Sequence, residues 1–488
     1  MQPRNQMDRR AVRHWMWIYA VASVSLVILG TFVILKSLQL RPGGDDYCLA
    51  VAGQFGLVGG VTFWWETFSG FLTPTILANT LVGVPVLKLP FGVSSALTFI
   101  TAAVAVGLTA FLLLRAVGLR IVGSRVLRWL VGTAFVSVLL VAWWSYWWLP
   151  PALGQTGDNV FLAQSITHNQ NPTAGHVLQT VIVVAAAVLT VQFFRSRRHV
   201  FGWVAAAFAG FAAGFAGPAM AGAFILTMLV VAVVFWNQPW TVGLHRRVPV
   251  MMAGIALISA LIALMAPGSR IRAEELETGL SLSPTTVGEI LNATFPKSIE
   301  AWASGFFTPG AIPVVLLGAG LGSGMWLLGV SINRTGAALA ALVLATFSLL
   351  LAVVSTAGQV FSYDAFWHYL DNRVAAFFGL VVAGVVVGQW LAQRMGIVSE
   401  FSQFLVVVVG LGISLGAILT MTISIAERQV AWDQGPAPIE GVVTELLDDP
   451  RGPTCWGALT HLREVPARGV TRELPAWDPE SNRLMSAR

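Results

Sequence analysis

The chain has 488 residues and a formal net charge of +6, and it is 56% apolar but only 11% charged. Soluble globular domains carry about 25% charged residues, so this composition excludes a water-soluble protein of this size. The basic residues lie in short clusters between apolar runs, which disfavours a nucleic-acid-binding protein. Runs of about 20 apolar residues recur along most of the chain and predict an all-α polytopic membrane protein.

Eleven membrane-spanning helices are predicted from these apolar runs. The first run follows a cluster of arginines, is too long for a signal peptide and lacks a small-residue cleavage site, so we expect an uncleaved anchor. The predicted spans cover residues 15–39, 92–117, 127–149, 175–195, 199–216, 219–237, 248–266, 311–331, 336–358, 373–393 and 401–425.

The distribution of arginine predicts the orientation of these spans. Arginines are concentrated in the N-terminal segment and in the short loops after the second, fourth, sixth, eighth and tenth spans. By the positive-inside rule these segments are cytoplasmic, which predicts a multi-pass protein of the plasma (inner) membrane with a cytoplasmic N-terminus. Residues 1–425 then form the transmembrane domain and residues 426–488 a small periplasmic tail. The predicted outer segments before the tail are residues 40–91, 150–174, 267–310 and 359–372.

The first outer segment, residues 40–91, is apolar and aromatic but is interrupted by glycines and prolines. It is too broken for an ordinary span, and helices lying in the membrane interface fit it better. Cys48 in this segment and Cys455 in the tail fall on the same oxidising side, where a disulfide between them would attach the tail to the loop. The alternative is two unrelated thiols.

Two adjacent carboxylates, Asp45 and Asp46, follow the first span directly. Neighbouring carboxylates repel each other, which favours protonation of one or its engagement by a partner. Such a group can take a proton from a sugar hydroxyl as a general base, or bind a divalent cation. The alternative is structural, with Asp45 capping the first helix of the loop.

Arg270 and Arg272 follow the seventh span within the sequence Pro-Gly-Ser-Arg-Ile-Arg. Guanidinium groups bind phosphate oxygens bidentately, and the phosphate of a prenyl lipid lies at this depth of the membrane. Alternatively, both arginines anchor the span at the headgroups or pair with the nearby glutamates. Positive charge is disfavoured on the outer side, so we favour phosphate binding.

The loop after the ninth span combines aromatic, acidic and imidazole side chains, which is typical of a carbohydrate-binding site. An aromatic belt with helix caps explains this composition almost as well.

No His or Cys pair stands at zinc-ligand spacing, and neither a metal nor another cofactor is predicted. Ionisable residues are almost absent from the middle of the spans, which favours an enzyme at the outer interface over an ion-coupled carrier. The candidate residues for binding sugar or acceptor are Glu66, His168, Tyr363, Asp364, Trp367 and His368.

Three segments carry a resemblance to a known family: Gly44-Asp45-Asp46-Tyr47-Cys48, Ala266-Pro267-Gly268-Ser269-Arg270 and the start of the tail at residues 426–433. Together with the layout of residues 10–425, they resemble the GT-C superfamily of integral-membrane glycosyltransferases. The similarity is to actinobacterial enzymes that use polyprenyl-phosphate sugars, of the arabinofuranosyl- and mannosyltransferase type.

This resemblance implies a GT-C-like fold of about 11 transmembrane helices with interfacial helices in the first outer loop. It implies transfer of a sugar from a polyprenyl-phosphate donor to a glycan, glycolipid or glycoprotein acceptor of the cell envelope. Asp45 or Asp46 would be the general base, and Arg270, with Arg272, would hold the donor phosphate. Lys88 and Arg373 are added as donor-phosphate ligands from charge and sidedness alone.

Two other functions fit the same residues. A transporter or flippase of lipids or lipid-linked glycans would grip a phosphate with the same outer arginines, without transferase chemistry. A non-catalytic membrane scaffold would retain the fold alone.

Overall fold

The structure, a computed structural model, is almost entirely helical in the part of the chain that it describes. This confirms an all-α membrane protein at the level of its secondary structure. The described residues are 4–38, 40, 49–50, 52–67, 69–117, 125–155, 162–163, 173–195, 199–235, 247–275, 284–327, 332, 334–359, 367–395, 407, 409–416, 476–478 and 483–485.

Helices make up nearly all of the described part of the chain. Residues 409–416 are also helical, and near the C-terminus the strands β1 (Ala476–Asp478) and β2 (Arg483–Met485) pair antiparallel. The helices are α1 (Arg4–Ser37), α2 (Gly56–Thr67), α3 (Leu72–Ala78), π1 (Asn79–Gly83), α4 (Pro85–Lys88), α5 (Phe91–Ala116), α6 (Arg125–Ala152), π2 (Thr173–Val177), α7 (Leu178–Arg195), α8 (His199–Gly214), α9 (Pro218–Phe235), α10 (Val248–Leu264), α11 (Pro267–Glu275), α12 (Pro284–Phe306), α13 (Ala311–Leu327), α14 (Arg334–Gln359) and α15 (Trp367–Met395).

Within the described residues, five helices are long and apolar enough to cross a membrane, and a bent pair of helices could form a sixth span. Helix α7 directly continues π2, whereas the apolar helices α8, α9 and α10 stand alone and have only 16 to 18 residues. At 1.5 Å per residue they measure ~24–27 Å, slightly less than a ~30 Å hydrocarbon core. The chain is therefore a membrane protein, and the count of eleven spans stays a prediction.

The described residues of the segment 267–310, which is predicted to lie outside the membrane, include the helices α11 and α12. Helix α12 is bent by 51° against α13. It packs on α14 and α15, where Ser298 Oγ lies 2.6 Å from Thr356 Oγ1 and the Asn372 side chain donates to the Ala301 carbonyl at 2.5 Å. Polar residues alternate with apolar ones along α12. Because of this amphipathic pattern, the sequence did not predict α12 as a membrane-spanning helix.

An aromatic cluster joins α6 to α15 in the core. Trp143 and Phe377 meet edge to face with their ring centroids 5.0 Å apart, and Tyr146 and Trp147 extend the cluster. The Tyr146 hydroxyl donates a 2.6 Å hydrogen bond to the carbonyl of Gly305, close to the bend between α12 and α13. The bend is thereby tied to the core of the bundle.

Helices α13 and α15 pack closely because glycines face each other along their contact. The glycines recur four residues apart on both helices, at 318 and 322 and at 384 and 388, which is the small-residue spacing of membrane helix pairs. A Cβ atom added at Gly388 would overlap the backbone oxygen of Ala319. Backbone cannot move aside as a flexible side chain can, so this contact excludes every larger residue.

We predict that Gly388→Ala destabilises the protein by about 1–3 kcal/mol, because the added methyl group forces α13 and α15 apart. The measurement is the thermal unfolding midpoint of the full chain in detergent. The control is Gly254→Ala on α10, where an added Cβ meets no atom within 4 Å. We expect the control to be neutral or stabilising by up to about 1 kcal/mol. Equal midpoints for the two variants would contradict the close packing of α13 on α15.

Candidate functional site

The predicted site residues divide into those that the structure describes and those that it does not. Glu66, Lys88, Arg270 and Arg373 are described with their side chains. Arg272, Trp367 and His368 lie on α11 and α15, but their side chains fall outside the description. The predicted residues that lie wholly outside the described residues are Asp45, Asp46, Cys48, His168, Tyr363, Asp364 and Cys455.

The first predicted outer loop contacts the segment that follows the seventh predicted span. The backbone N–H of Gly70 donates a 2.8 Å hydrogen bond to Ser269 Oγ, and Ser269 Oγ donates at 2.8 Å to the carbonyl of Ala263. A Cβ atom at Gly70 would overlap that same carbonyl oxygen. Helix α11, which carries Ser269, also packs on α2. Two residues that lie 199 positions apart in sequence are therefore neighbours in the structure.

Arg270 follows Ser269 on α11 and is exposed. Glu66, in the last turn of α2, is exposed as well. Among the residues whose side chains the structure describes, which do not include the glutamates at 274 and 275, no carboxylate lies within 4.0 Å of the Arg270 guanidinium. Arg270 is thus accessible to a phosphate beside the first loop, as its predicted role requires.

The first loop is also fixed on the neighbouring helix α8. Thr73 donates its backbone N–H to the carbonyl of Phe215 at 3.0 Å and its hydroxyl to the carbonyl of Ala212 at 2.7 Å. Phe71 packs with Phe215 and Ala263 in a small apolar cluster. The ends of α8 and α10 therefore form a platform for the loop.

The loop is held together internally by Asn79. Its side-chain amide is completely buried and donates to the carbonyls of Gly56 and Leu57 at 3.1 and 3.0 Å. A Cβ atom at Gly60 or Gly83 would collide with the Asn79 side chain. Some of the glycines that interrupt this segment in the sequence are thus required by its packing.

A polar cluster that the sequence did not predict joins π2 and α7 to the start of α15. His176 Nδ1 lies 3.4 Å from Asp371 Oδ1 and 3.5 Å from Oδ2, and Thr180 Oγ1 donates to Asp371 Oδ1 at 3.1 Å. Asp371 belongs in sequence to the aromatic segment after the ninth predicted span, whereas His176 and Thr180 lie in the predicted span 175–195. Because these partners are more than 190 residues from Asp371 in sequence, no local pattern could indicate the contact.

Arg373 lies inside the bundle and is only 6% exposed. Its neighbour Asn372 is fully buried and accepts a 2.7 Å hydrogen bond from the Ser348 hydroxyl. The predicted span began at residue 373, whereas α15 begins at Trp367, so Arg373 lies in the second turn of a packed helix. A phosphate would have to enter between the helices to reach it.

Lys88 is exposed at the end of α4. Helix α4 packs against β2 of the tail, so the C-terminal end of the chain returns to the first predicted outer loop. The predicted Cys48–Cys455 disulfide would join these same two parts of the chain.

Among the described residues, no group of three or more His, Cys, Asp and Glu side chains is placed to hold a metal ion. A small crevice near the C-terminal end of α5 is lined by apolar residues, namely Ala110, Leu113, Leu114, Val117, Ile332, Val381, Val382, Val385 and Val386.

No family model, no curated protein and no solved structure matches this chain. The resemblance to the GT-C superfamily therefore stays a prediction that rests on the motifs and the layout of the sequence.

We predict that Ser269→Ala loosens the first loop, because the N–H of Gly70 loses its acceptor at a cost of about 1–3 kcal/mol. Hydrogen–deuterium exchange of the full chain in detergent should be faster in the peptide that contains Gly70. The control is Ser304→Ala, since the Ser304 hydroxyl donates only to a carbonyl of its own helix, that of Ala301. Unchanged exchange at Gly70 in Ser269→Ala would disprove the importance of this hydrogen bond.

Proposed function

We propose that the protein is a membrane glycosyltransferase that works at the outer face of the plasma membrane. It moves a sugar from a polyprenyl-phosphate donor to a hydroxyl group of a glycan, glycolipid or glycoprotein of the cell envelope. The observation that supports this proposal best is the contact between Gly70 and Ser269. It brings the segment that bears Arg270 against the loop that begins with the aspartate pair.

The membrane supports the choice of donor. Polyprenyl phosphates keep their tails in the bilayer and present their phosphates at its surface, where an exposed arginine next to an apolar helix can bind them. Arg270 meets this requirement because α11 directly follows the apolar helix α10. Glu66 lies on α2, the helix on which α11 packs, and is in our proposal a ligand of the acceptor.

The proposed step is a single displacement. An acceptor oxygen bonds to the anomeric carbon of the donor sugar while the bond from that carbon to the phosphate oxygen breaks, and the electron pair leaves with the prenyl phosphate. Asp45 or Asp46 takes the proton of the acceptor hydroxyl as general base. Arg270 stabilises the negative charge that develops on the leaving phosphate.

A transporter of lipids or lipid-linked glycans is the second candidate, and the bend of 51° between α12 and α13 favours it. Discontinuous helices are common at the substrate sites of transporters, because a broken helix can offer backbone groups to a ligand. Variants of the aspartate pair distinguish the two functions, since transport requires no general base.

We predict that Arg270→Ala weakens the binding of farnesyl phosphate by about 10–100-fold, because a charge-assisted hydrogen bond contributes about 1.5–3 kcal/mol. The Kd is measured on the purified full chain in detergent. The control is Arg247→Ala, because Arg247 is also exposed but lies at the opposite end of α10. Farnesol, which lacks the phosphate, should bind both variants and the unmodified protein equally. The same Kd for farnesyl phosphate in Arg270→Ala and the unmodified protein would refute this role.

We predict that Asp45→Asn or Asp46→Asn lowers turnover by at least about 100-fold, the contribution typical of a general base. Turnover is followed as release of farnesyl phosphate from farnesyl-phosphoryl sugars, with arabinose and mannose donors compared. The Kd for farnesyl phosphate should remain unchanged, because the base acts on the acceptor. A protein that moves these lipids across vesicles at the same rate with either variant would instead be a transporter.

A further inference from the structure

Helix α12 belongs to the segment 267–310, which is predicted from the sequence to lie on the outer side of the membrane. We propose that the C-terminal part of α12 and the helix α13 are instead the two halves of one broken membrane-spanning segment. The break, residues 307–310, then lies inside the hydrocarbon core, and the apolar face beside it contacts the acyl chains of the bilayer. This inference is independent of the proposed transfer reaction.

The charge distribution permits a longer span than the predicted one at residues 311–331. Residues 301–333 contain no charged side chain. This stretch is longer than the ~20 residues that cross a hydrocarbon core of ~30 Å. Lys297 and Glu300, the last charged residues before it, are exposed. The span can therefore begin near residue 301, within α12.

Helices α12 and α13 run alongside α15 in the same direction and in one register. Four pairs of positions lie close together, either through a hydrogen bond or through the close approach of a glycine, and they follow in the same order along both segments. The pairs are Ala301 with Asn372, Gly305 with Ala376, Val315 with Gly384 and Ala319 with Gly388. The first two pairs involve α12 and the last two involve α13. The two helices together therefore follow α15 from its second turn as far as residue 388.

This register gives the depth of α12 in the membrane. Helix α15 is long and apolar enough to cross a membrane over Tyr369–Arg394. Ala376, the partner of Gly305, lies ~10 Å along this span from its first residue, at 1.5 Å per residue. On the other side of α12, Ser298 Oγ lies 2.6 Å from Oγ1 of Thr356, which is the last residue of the spanning part of α14. Helix α12 thus passes the edge of the membrane near Ser298 and is embedded at Gly305.

The two faces of α12 are inverted relative to those of a helix on a water-soluble protein. Its small polar residues Thr294 and Ser298 are buried against the neighbouring helices. Its large apolar residues Phe295 and Ile299 are exposed, and Phe307, which directly follows the helix, is 80% exposed. Apolar side chains of this size are stabilised by removal from water, and lipid provides such an environment at this depth. The outward face therefore fits acyl chains.

The backbone at the break is also compatible with a hydrocarbon environment. Pro309 has no N–H, so the carbonyl of Gly305 lacks the donor that the residue four positions later would supply in a continuous helix. The Tyr146 hydroxyl takes the place of this donor at 2.6 Å. A Cβ atom at Gly310 would overlap the carbonyl oxygen of Tyr146, so α6 also packs directly on the break. Breaks in membrane-spanning helices are tolerated where neighbouring helices satisfy the freed backbone groups in this way.

The test measures the surroundings of Phe307 in the full chain, reconstituted in phosphatidylcholine vesicles with both native cysteines replaced by serine. A nitroxide label on Phe307→Cys should collide mainly with oxygen, which dissolves in lipid, and rarely with a polar nickel chelate in the water. The controls are Val104→Cys, which is 54% exposed in the middle of α5, and Leu153→Cys, which is 63% exposed directly after α6. The ratio of oxygen to nickel collisions at Phe307 should match that at Val104. It should exceed the ratio at Leu153 by about tenfold or more, because polar solutes partition poorly into hydrocarbon.

The other results would overturn the proposal. A ratio at Phe307 equal to that at Leu153 would show that the break lies in water. Low collision rates with both reagents would show that a second copy or another protein segment covers the face, which would refute its contact with lipid. If Phe307→Cys does not fold, Ala303→Cys replaces it, because Ala303 is a small, partly exposed residue of the same embedded part of α12. The same ratio is expected there, and a ratio like that at Leu153 would again refute the span.

Discussion

The arrangement at the predicted outer end of this protein depends on the backbone of Gly70 approaching the end of α10. The approach leaves no space for a side chain on Gly70, and the N–H that it buries is satisfied by the hydroxyl of Ser269. A buried donor without an acceptor is costly, so the glycine and the serine are needed together. This contact fixes the first predicted outer loop, residues 40–91, against helix α11.

The first loop serves as a common neighbour for otherwise separate parts of the bundle. It contacts α11 through α2, α8 through Thr73, and π2 through α3, and its α4 meets the strand β2 of the tail. A loop that is braced internally by the buried side chain of Asn79 can hold such contacts more rigidly than an open connection. Polar groups from distant helices can then be positioned on a shared support.

The sequence predicts the membrane class well, and also the places of the apolar helices that the structure describes, because apolar runs of this length have few other interpretations. The sequence also shows that residues 40–91 are interrupted by glycines and prolines. It does not show why two of these glycines are needed: Gly60 and Gly83 pack against the side chain of Asn79. It misses the amphipathic helix α12 and the burial of Arg373, because both depend on which helix faces which. The pair of His176 and Asp371 is also missed, since its members lie on separate elements and neither stands in a recognisable motif.

The short helices α8, α9 and α10 have a consequence for the lipid that surrounds them. If these three cross the bilayer, as the sequence predicts, their length of ~24–27 Å is less than the thickness of an average hydrocarbon core, and the resulting hydrophobic mismatch is relieved by local thinning. Thinned bilayer on this side of the protein would shorten the path between the acyl region and the surface. The end of α10, on which the backbone of Gly70 packs, would border this thinner region.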